Sequence, residues 1–242
     1  MRYFAVVEYE GTKFFGWQIQ VGQRTVQNDI QKAISTILNT PTKIYGSGRT
    51  DGGVHAYGQT FHFDGKEVED LGKFKYSLNQ ILPADIHIKS LEVVPDDFHA
   101  RFSAKSKTYQ YVFNMGEYDL FNRNREFQLC QKMDVKKIKE AASYFVGKHN
   151  FKNFTSKDED DQNFVREIFS VDVKEDKDKL VLTFVGTGFM RYMVRMIVGT
   201  LMMIGLGKLE PNEIEKLLNS EERNPTQHRV SAEGLTLVKV TY

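Results

Sequence analysis

Between Gly46 and Ala56 the chain reads Gly-Ser-Gly-Arg-Thr-Asp-Gly-Gly-Val-His-Ala, and this stretch restricts the fold more than any other. Strand-like segments stand on both sides. Lys43-Ile44-Tyr45 reads as a strand end, and Gln59-Thr60-Phe61-His62-Phe63 alternates polar and aromatic residues as a half-buried strand does. The chain between them is a short loop gripped by two strands, a setting that can hold one side chain rigidly in a cleft. That side chain is Asp51, with Arg49 two residues before it. Two simpler readings stand beside this one: Asp51-Gly52 is a common hairpin-turn pair, and Arg49 can be a solvated surface arginine. The turn explains a glycine. It does not explain why Arg49, Thr50, Asp51 and His55 crowd one loop.

The rest of the chain reads as an α+β protein. Tyr3 to Tyr9 is a strand, followed by an aromatic loop, Phe14-Phe15-Gly16-Trp17, that holds the only tryptophan. Thr25 is placed to cap a helix whose apolar face is Val26, Ile30, Ala33, Ile34 and Ile37. Glu69 to Leu82 is a second helix, and Ile86 to Val94 a strand. After a bridge at Asp97–Ala104 the outline repeats. Lys107–Asn114 is a strand and Asp134 caps a helix that runs through Phe145. Val165–Val173 and Leu180–Val185 are strands joined by a charged hairpin. Phe189–Ile204 is an apolar helix, Pro211–Leu218 a short one, and Leu235–Val240 a last strand. This order predicts two mixed-topology sheet domains with helices on one face, residues 1–104 and 105–242.

Composition narrows the function classes. The 33 basic and 32 acidic side chains of the 242 residues leave a net charge of +1, which is not the footprint of a general nucleic-acid binder. An RNA partner would need the charge concentrated on one face. Basic clusters at Arg101–Lys107, Arg123–Arg125 and Arg191–Arg195 allow that, with acid gathered at Asp158–Asp161 and Asp172–Asp178. The single Cys130 excludes an internal disulfide and a multi-cysteine zinc site. The most apolar stretch, Met196–Leu206, is too short to span a bilayer, and the N-terminus meets Glu8 too early for a signal peptide. A cytoplasmic protein without a membrane partner is expected. Asp51, His55, His62 and Asp64 can be drawn as metal ligands but lack a convincing donor set, so no metal is expected.

The run Gly48-Arg49-Thr50-Asp51-Gly52-Gly53-Val54-His55-Ala56 resembles the active-site motif of the TruA family of tRNA pseudouridine synthases, which usually has alanine where this chain has Gly52. Further segments resemble that family in the same order. They are Gly16-Trp17-Gln18, Lys107-Thr108-Tyr109-Gln110-Tyr111, Gly147-Lys148-His149-Asn150-Phe151, Met193-Val194-Arg195 and Ser231-Ala232-Glu233-Gly234-Leu235. Lys148, Asn150 and Glu233 depart from the family pattern. The resemblance implies the pseudouridine synthase fold with the active-site cleft between the two domains, a symmetric homodimer, and no metal or organic cofactor. It implies action on uridines in the tRNA anticodon stem-loop, positions 38–40. It also implies Asp51 as the catalytic carboxylate, Arg195 as its ion-pair partner, Tyr109 as the ring that stacks on the target base and Arg49 as a helper in flipping it.

These residue types suit the chemistry. Pseudouridine forms when the bond from C1′ to uracil N1 breaks and the base rejoins through C5. One carboxylate can act as nucleophile toward sugar or base, or remove a sugar proton, and the sequence leaves these open. Burial would raise the pKa of such a carboxylate, and a paired arginine opposes that rise. A flipped base costs a few kcal/mol, on the order of what stacking on one ring returns. Two rivals remain: a non-catalytic RNA-binding paralogue, and a synthase acting on a different RNA.

Overall fold

Strands with buried aromatics dominate the first unit of the chain. The computed structural model describes residues 1–156 and 163–242, so the acidic run Asp158–Asp161 lies outside the described residues. Two compact units result, one of residues 1–105 with 236–242 and the other of residues 106–235. In the first, β1 (Arg2–Tyr9), β2 (Ile44–Gly46), β3 (His55–Asp64) and β4 (Ile86–Val94) form an antiparallel sheet in which β1 lies between β4 and β3, and β2 pairs with β3. Helices α1 (Val26–Leu38) and α2 (Leu71–Ile81) turn Val26, Ile30, Ile34, Leu38, Phe74 and Leu78 inward. Tyr3 stacks on Phe63, and Phe63 meets Phe74 of α2. Asp70 caps α2 by accepting from Lys73 N. Thr25 has the extended backbone of an N-cap but makes no capping bond, and its Oγ1 is buried without a partner.

The half-buried pattern expected for Gln59–Phe63 fails in an instructive way. All five residues are buried. One face of β3 carries Phe61 and Phe63 toward the helices. The other carries Thr60 and His62, and it is covered by residues distant in sequence: Thr60 Oγ1 hydrogen-bonds Tyr242 Oη at 2.6 Å, and Tyr242 donates to Ala100 O. Phe4, opposite His62 in the register, packs edge-on against both Phe98 and Tyr242.

His62 makes this covered face sensitive to acid. Its Nδ1 accepts from Ala100 N at 3.2 Å, which requires that nitrogen to be unprotonated. Burial, His99 and Arg2 together lower its pKa to about 4. An unfolded histidine takes up its proton near pH 6.5. Between those values the unfolded chain binds more protons than the folded one, so stability falls as pH drops from about 6.5 to about 4. Denaturation followed across that window should show the slope in the wild type and a shallower one in His62→Asn, whose amide oxygen can keep the Ala100 bond.

The second unit holds the strands β5 (Ser106–Asn114), β9 (Lys179–Gly186), β8 (Val165–Asp176) and β7 (Gly147–Asn150), paired in that order, with the two-residue β6 (Phe127–Gln128) parallel to β5. Helices α3 (Val135–Ser143), α4 (Met193–Gly205) and α5 (Glu213–Asn219) complete it. Asp134 caps α3 through Lys137 N, as its position predicts. Gly147 has φ +112° and opens β7. The expected helix from Phe189 begins only at Met193. Tyr192 stands in the left-handed region at φ 59° and ends any helical path from Phe189. Arg191 and Arg195 therefore do not share a helix face.

The last strand, β10 (Leu235–Thr241), counted with the second half by sequence order, pairs in parallel with β3 of the first unit, Thr236 opposite His55 and Leu237 opposite Ala56. Sequence position alone does not reveal such a return, because the partner edge is far away in the chain.

Candidate active site

The Asp51 loop leaves β2 at Gly46 and enters β3 at His55, so both ends are pinned to the same strand. Its first half is fixed by Ser47, whose N donates to Thr60 O at 2.9 Å and whose Oγ donates to Gln59 Oε1 at 2.7 Å. The Gln59 amide in turn donates to Gly48 O. Thr50 Oγ1 meets Tyr9 Oη at 2.8 Å, and burial pushes the Tyr9 hydroxyl well above its ordinary pKa, keeping it neutral. The second half is a turn in which Val54 N donates to Asp51 O and Gly53 takes φ +81°. A left-handed residue at that place favours glycine. The central pair of the turn is Gly52-Gly53, with Asp51 as its first residue, so Asp51-Gly52 is not the hairpin-turn pair its sequence suggests.

The aromatic loop after β1 braces this turn from outside. Gly53 N donates to Phe14 O, Trp17 N donates to Thr50 O, and Gly11 N donates to His55 Nδ1 at 3.0 Å. His55 is buried and ties the loop to the residues after β1, which is the role of a structural histidine. Trp17 is buried under the loop, its indole against Gly46, where a Cβ would lie 2.6 Å from Nε1. Gly52 is different. A Cβ there would find Phe14 O and Phe15 Cα at 3.5 Å, so the alanine usual in the resembled family fits without displacement.

Asp51 is partly exposed on this braced turn, and Arg49 is exposed on the same loop. Tyr109 and Arg195 belong to the second unit. Tyr109, on β5 opposite Phe184, is 8% exposed and meets Phe189 edge-on at 5.3 Å. Phe189 opens the segment that leads into α4, where Arg195 donates from Nε to Val230 O at 2.9 Å. The structure thus sets Asp51 with Arg49, and links Tyr109 through Phe189 to the segment before Arg195. Asp64 is held by Arg2 at 2.8 Å and 2.9 Å, and His62 by Ala100, so neither turns toward Asp51 as a ligand. Among the described residues no three His, Cys, Asp or Glu side chains are grouped as a metal site. No helix among them is long and apolar enough to cross a membrane.

Residues 5–103 and 141–242 match the family described as tRNA pseudouridine synthase. The chain belongs to that family. It is an enzyme of the pseudouridine synthase class, and its relatives match it along nearly their whole length. A protein named tRNA pseudouridine synthase A from Ruminiclostridium cellulolyticum is 42% identical, over 98% of this chain and 97% of its own. Proteins of the same name from Bacillus licheniformis and Bacillus subtilis are 40% and 38% identical, each over 100% of this chain and 99% of their own. A solved structure described as a Cbf5-Nop10-Gar1 complex aligns over 83% of this chain and 54% of that one, with a TM-score of 0.37 and 13% identity, too distant a likeness to bear on the argument. The family match spans both the Asp51 loop and the Arg195 helix.

Several residues around the site escape a reading of the sequence. Ser47, Gln59 and Tyr9 hold the loop by bonds across strands, and only the register reveals them. Arg229 reaches the ring of Tyr192, and the exposed run around it carries no periodic signal.

Proposed function

We propose that this enzyme isomerises uridine to pseudouridine in the anticodon stem-loop of tRNA, in the cytoplasm and as a homodimer, with the Asp51 carboxylate as its catalytic group. The observation that carries the reading is the bracing of the Asp51 turn, clamped by Tyr9, Phe14, Trp17 and Gln59 and leaving the carboxylate on a partly exposed edge. A reactive group held on so rigid a loop is preorganised for chemistry on a bound substrate. Arg195 is the proposed ion-pair partner. Its Nε is committed to Val230 O, so a grip on a carboxylate falls to the terminal nitrogens. Tyr109 offers a ring for the flipped uracil, and Arg49 a cation for the displaced nucleotide. In the reaction the C1′–N1 bond breaks, the C1′–C5 bond forms, the C5 proton leaves to solvent and N1 gains one.

The loss of the C5 hydrogen supplies the test. A tRNA transcript tritiated at uridine C5 should release tritium with the wild-type enzyme. Release should stop when the uridines of the anticodon arm alone are replaced by cytidine. Undiminished release from the replaced transcript would move the substrate elsewhere in the RNA.

A further inference from the structure

Three guanidinium groups converge on the ring of Tyr192. Arg229 lies 4.4 Å from its centroid, Arg191 4.9 Å and Arg195 5.2 Å. Arg191 also donates to the Tyr192 hydroxyl at 3.2 Å. Among the described residues neither Arg191 nor Arg229 meets a carboxylate, and both are exposed. Like charges this close repel, and contact with an aromatic face at an exposed site offsets little of that repulsion.

The framework beneath them is fixed. Tyr192 sits at φ 59°, a backbone state that bulky side chains rarely adopt and that tends to persist at functional sites. Thr155 Oγ1 donates to Arg191 O and holds that backbone from below. On the other side, Val230 N donates to Arg195 O while Arg195 Nε donates to Val230 O, so the chain beside Arg229 is stitched to α4 twice. At Gly199 the same segment presses so close to α4 that a Cβ would lie 2.6 Å from His228 O. Two exposed cations carried on a rigid backbone and lacking acidic partners suit an anion supplied from outside.

We propose that Arg191 and Arg229, splayed over the Tyr192 ring, form a clamp for backbone phosphates of the RNA substrate beside Arg195. The identification of the anion as RNA rests on the proposed function. Arginine is suited to this work because its planar fork meets phosphate oxygens in pairs. Each phosphate contact releases condensed counterions, so it appears in the salt dependence of binding and is blind to base sequence.

The test measures binding of an unmodified tRNA transcript from 50 to 200 mM potassium chloride. Arg191→Gln/Arg229→Gln is compared with wild type, with Arg191→Lys/Arg229→Lys, and with Lys136→Gln/Lys139→Gln, which removes equal charge from exposed positions of α3. The glutamine pair should make the slope of log K against log salt shallower by about 1 for each arginine lost. The lysine pair should keep most of the slope, and the α3 control all of it. At low salt the KM for tRNA should rise while kcat stays within about twofold, as expected for contacts made equally in ground and transition states. An unchanged slope in the glutamine pair overturns the clamp, as does an equal loss in the α3 control. If the glutamine pair folds poorly, Arg191→Gln and Arg229→Gln are measured singly, each expected to make the slope shallower by about 1, and an unchanged slope in both overturns the clamp. If wild type binds tRNA but releases no tritium from it, the proposed function fails, while the slopes still report on the two arginines.

Discussion

Asp51→Asn should lower pseudouridine formation by at least about a thousandfold while leaving tRNA affinity and fold intact. Asparagine has the same shape but is neither a nucleophile nor a base at neutral pH, so each of the three roles open to the carboxylate is lost together. The bonds that shape the turn favour a clean result. Val54 N to Asp51 O, Gly53 N to Phe14 O and Trp17 N to Thr50 O are all made by the backbone and survive the substitution. Single-turnover tritium release from the C5-labelled transcript measures the loss, and circular dichroism with a binding titration measures what is kept. Substantial activity in the variant would remove Asp51 from the chemistry. Weak binding together with the lost rate would instead assign it to holding substrate.

Much of this was legible in the chain, and the limits of legibility are physical. The helix faces of Val26–Leu38 and Val135–Ser143, the cap at Asp134, and the strand–loop–strand around Asp51 follow from local periodicity and local bonds. What escaped depends on partners distant in sequence. β3 alternates as though one face met water, yet Tyr242 and Phe98 cover that face. The run Phe189–Tyr192 is apolar enough for a helix, and one left-handed residue, Tyr192, keeps it out. The pair Arg191 and Arg195 has helical spacing on paper but no shared helix, and their true companion is Arg229, brought in by the stitched Val230 segment. The expected acceptor bond at Thr25 is missing although the backbone is shaped for it. Capping geometry depends on the side-chain rotamer, which the residue type does not determine.

The second large effect is expected at Gly11, far from any motif. A Cβ on Gly11 would lie far inside van der Waals contact with the Val54 carbonyl oxygen, with the Val54 and Gly53 carbonyl carbons also crowded. All three neighbours are backbone, so no side chain can swing aside. Either the turn Gly11–Lys13 moves out or the Gly53–Val54 end of the Asp51 loop moves away. Each route strains two bonds that cross this contact, Gly11 N to His55 Nδ1 and Gly53 N to Phe14 O. Gly11→Ala should therefore cost about 1–3 kcal/mol of stability, seen as a melting temperature lower by roughly 3–10 °C. Its activity should fall further than its stability implies, because a displacement of about 1 Å at a reacting group costs on the order of a hundredfold in rate. Gly52 provides the contrast within the same loop. Alanine there meets its neighbours at 3.5 Å, so Gly52→Ala should melt no lower than wild type and keep its rate. If Gly11→Ala matched Gly52→Ala in both measurements, the packing of the loop against the turn after β1 would not be what positions Asp51.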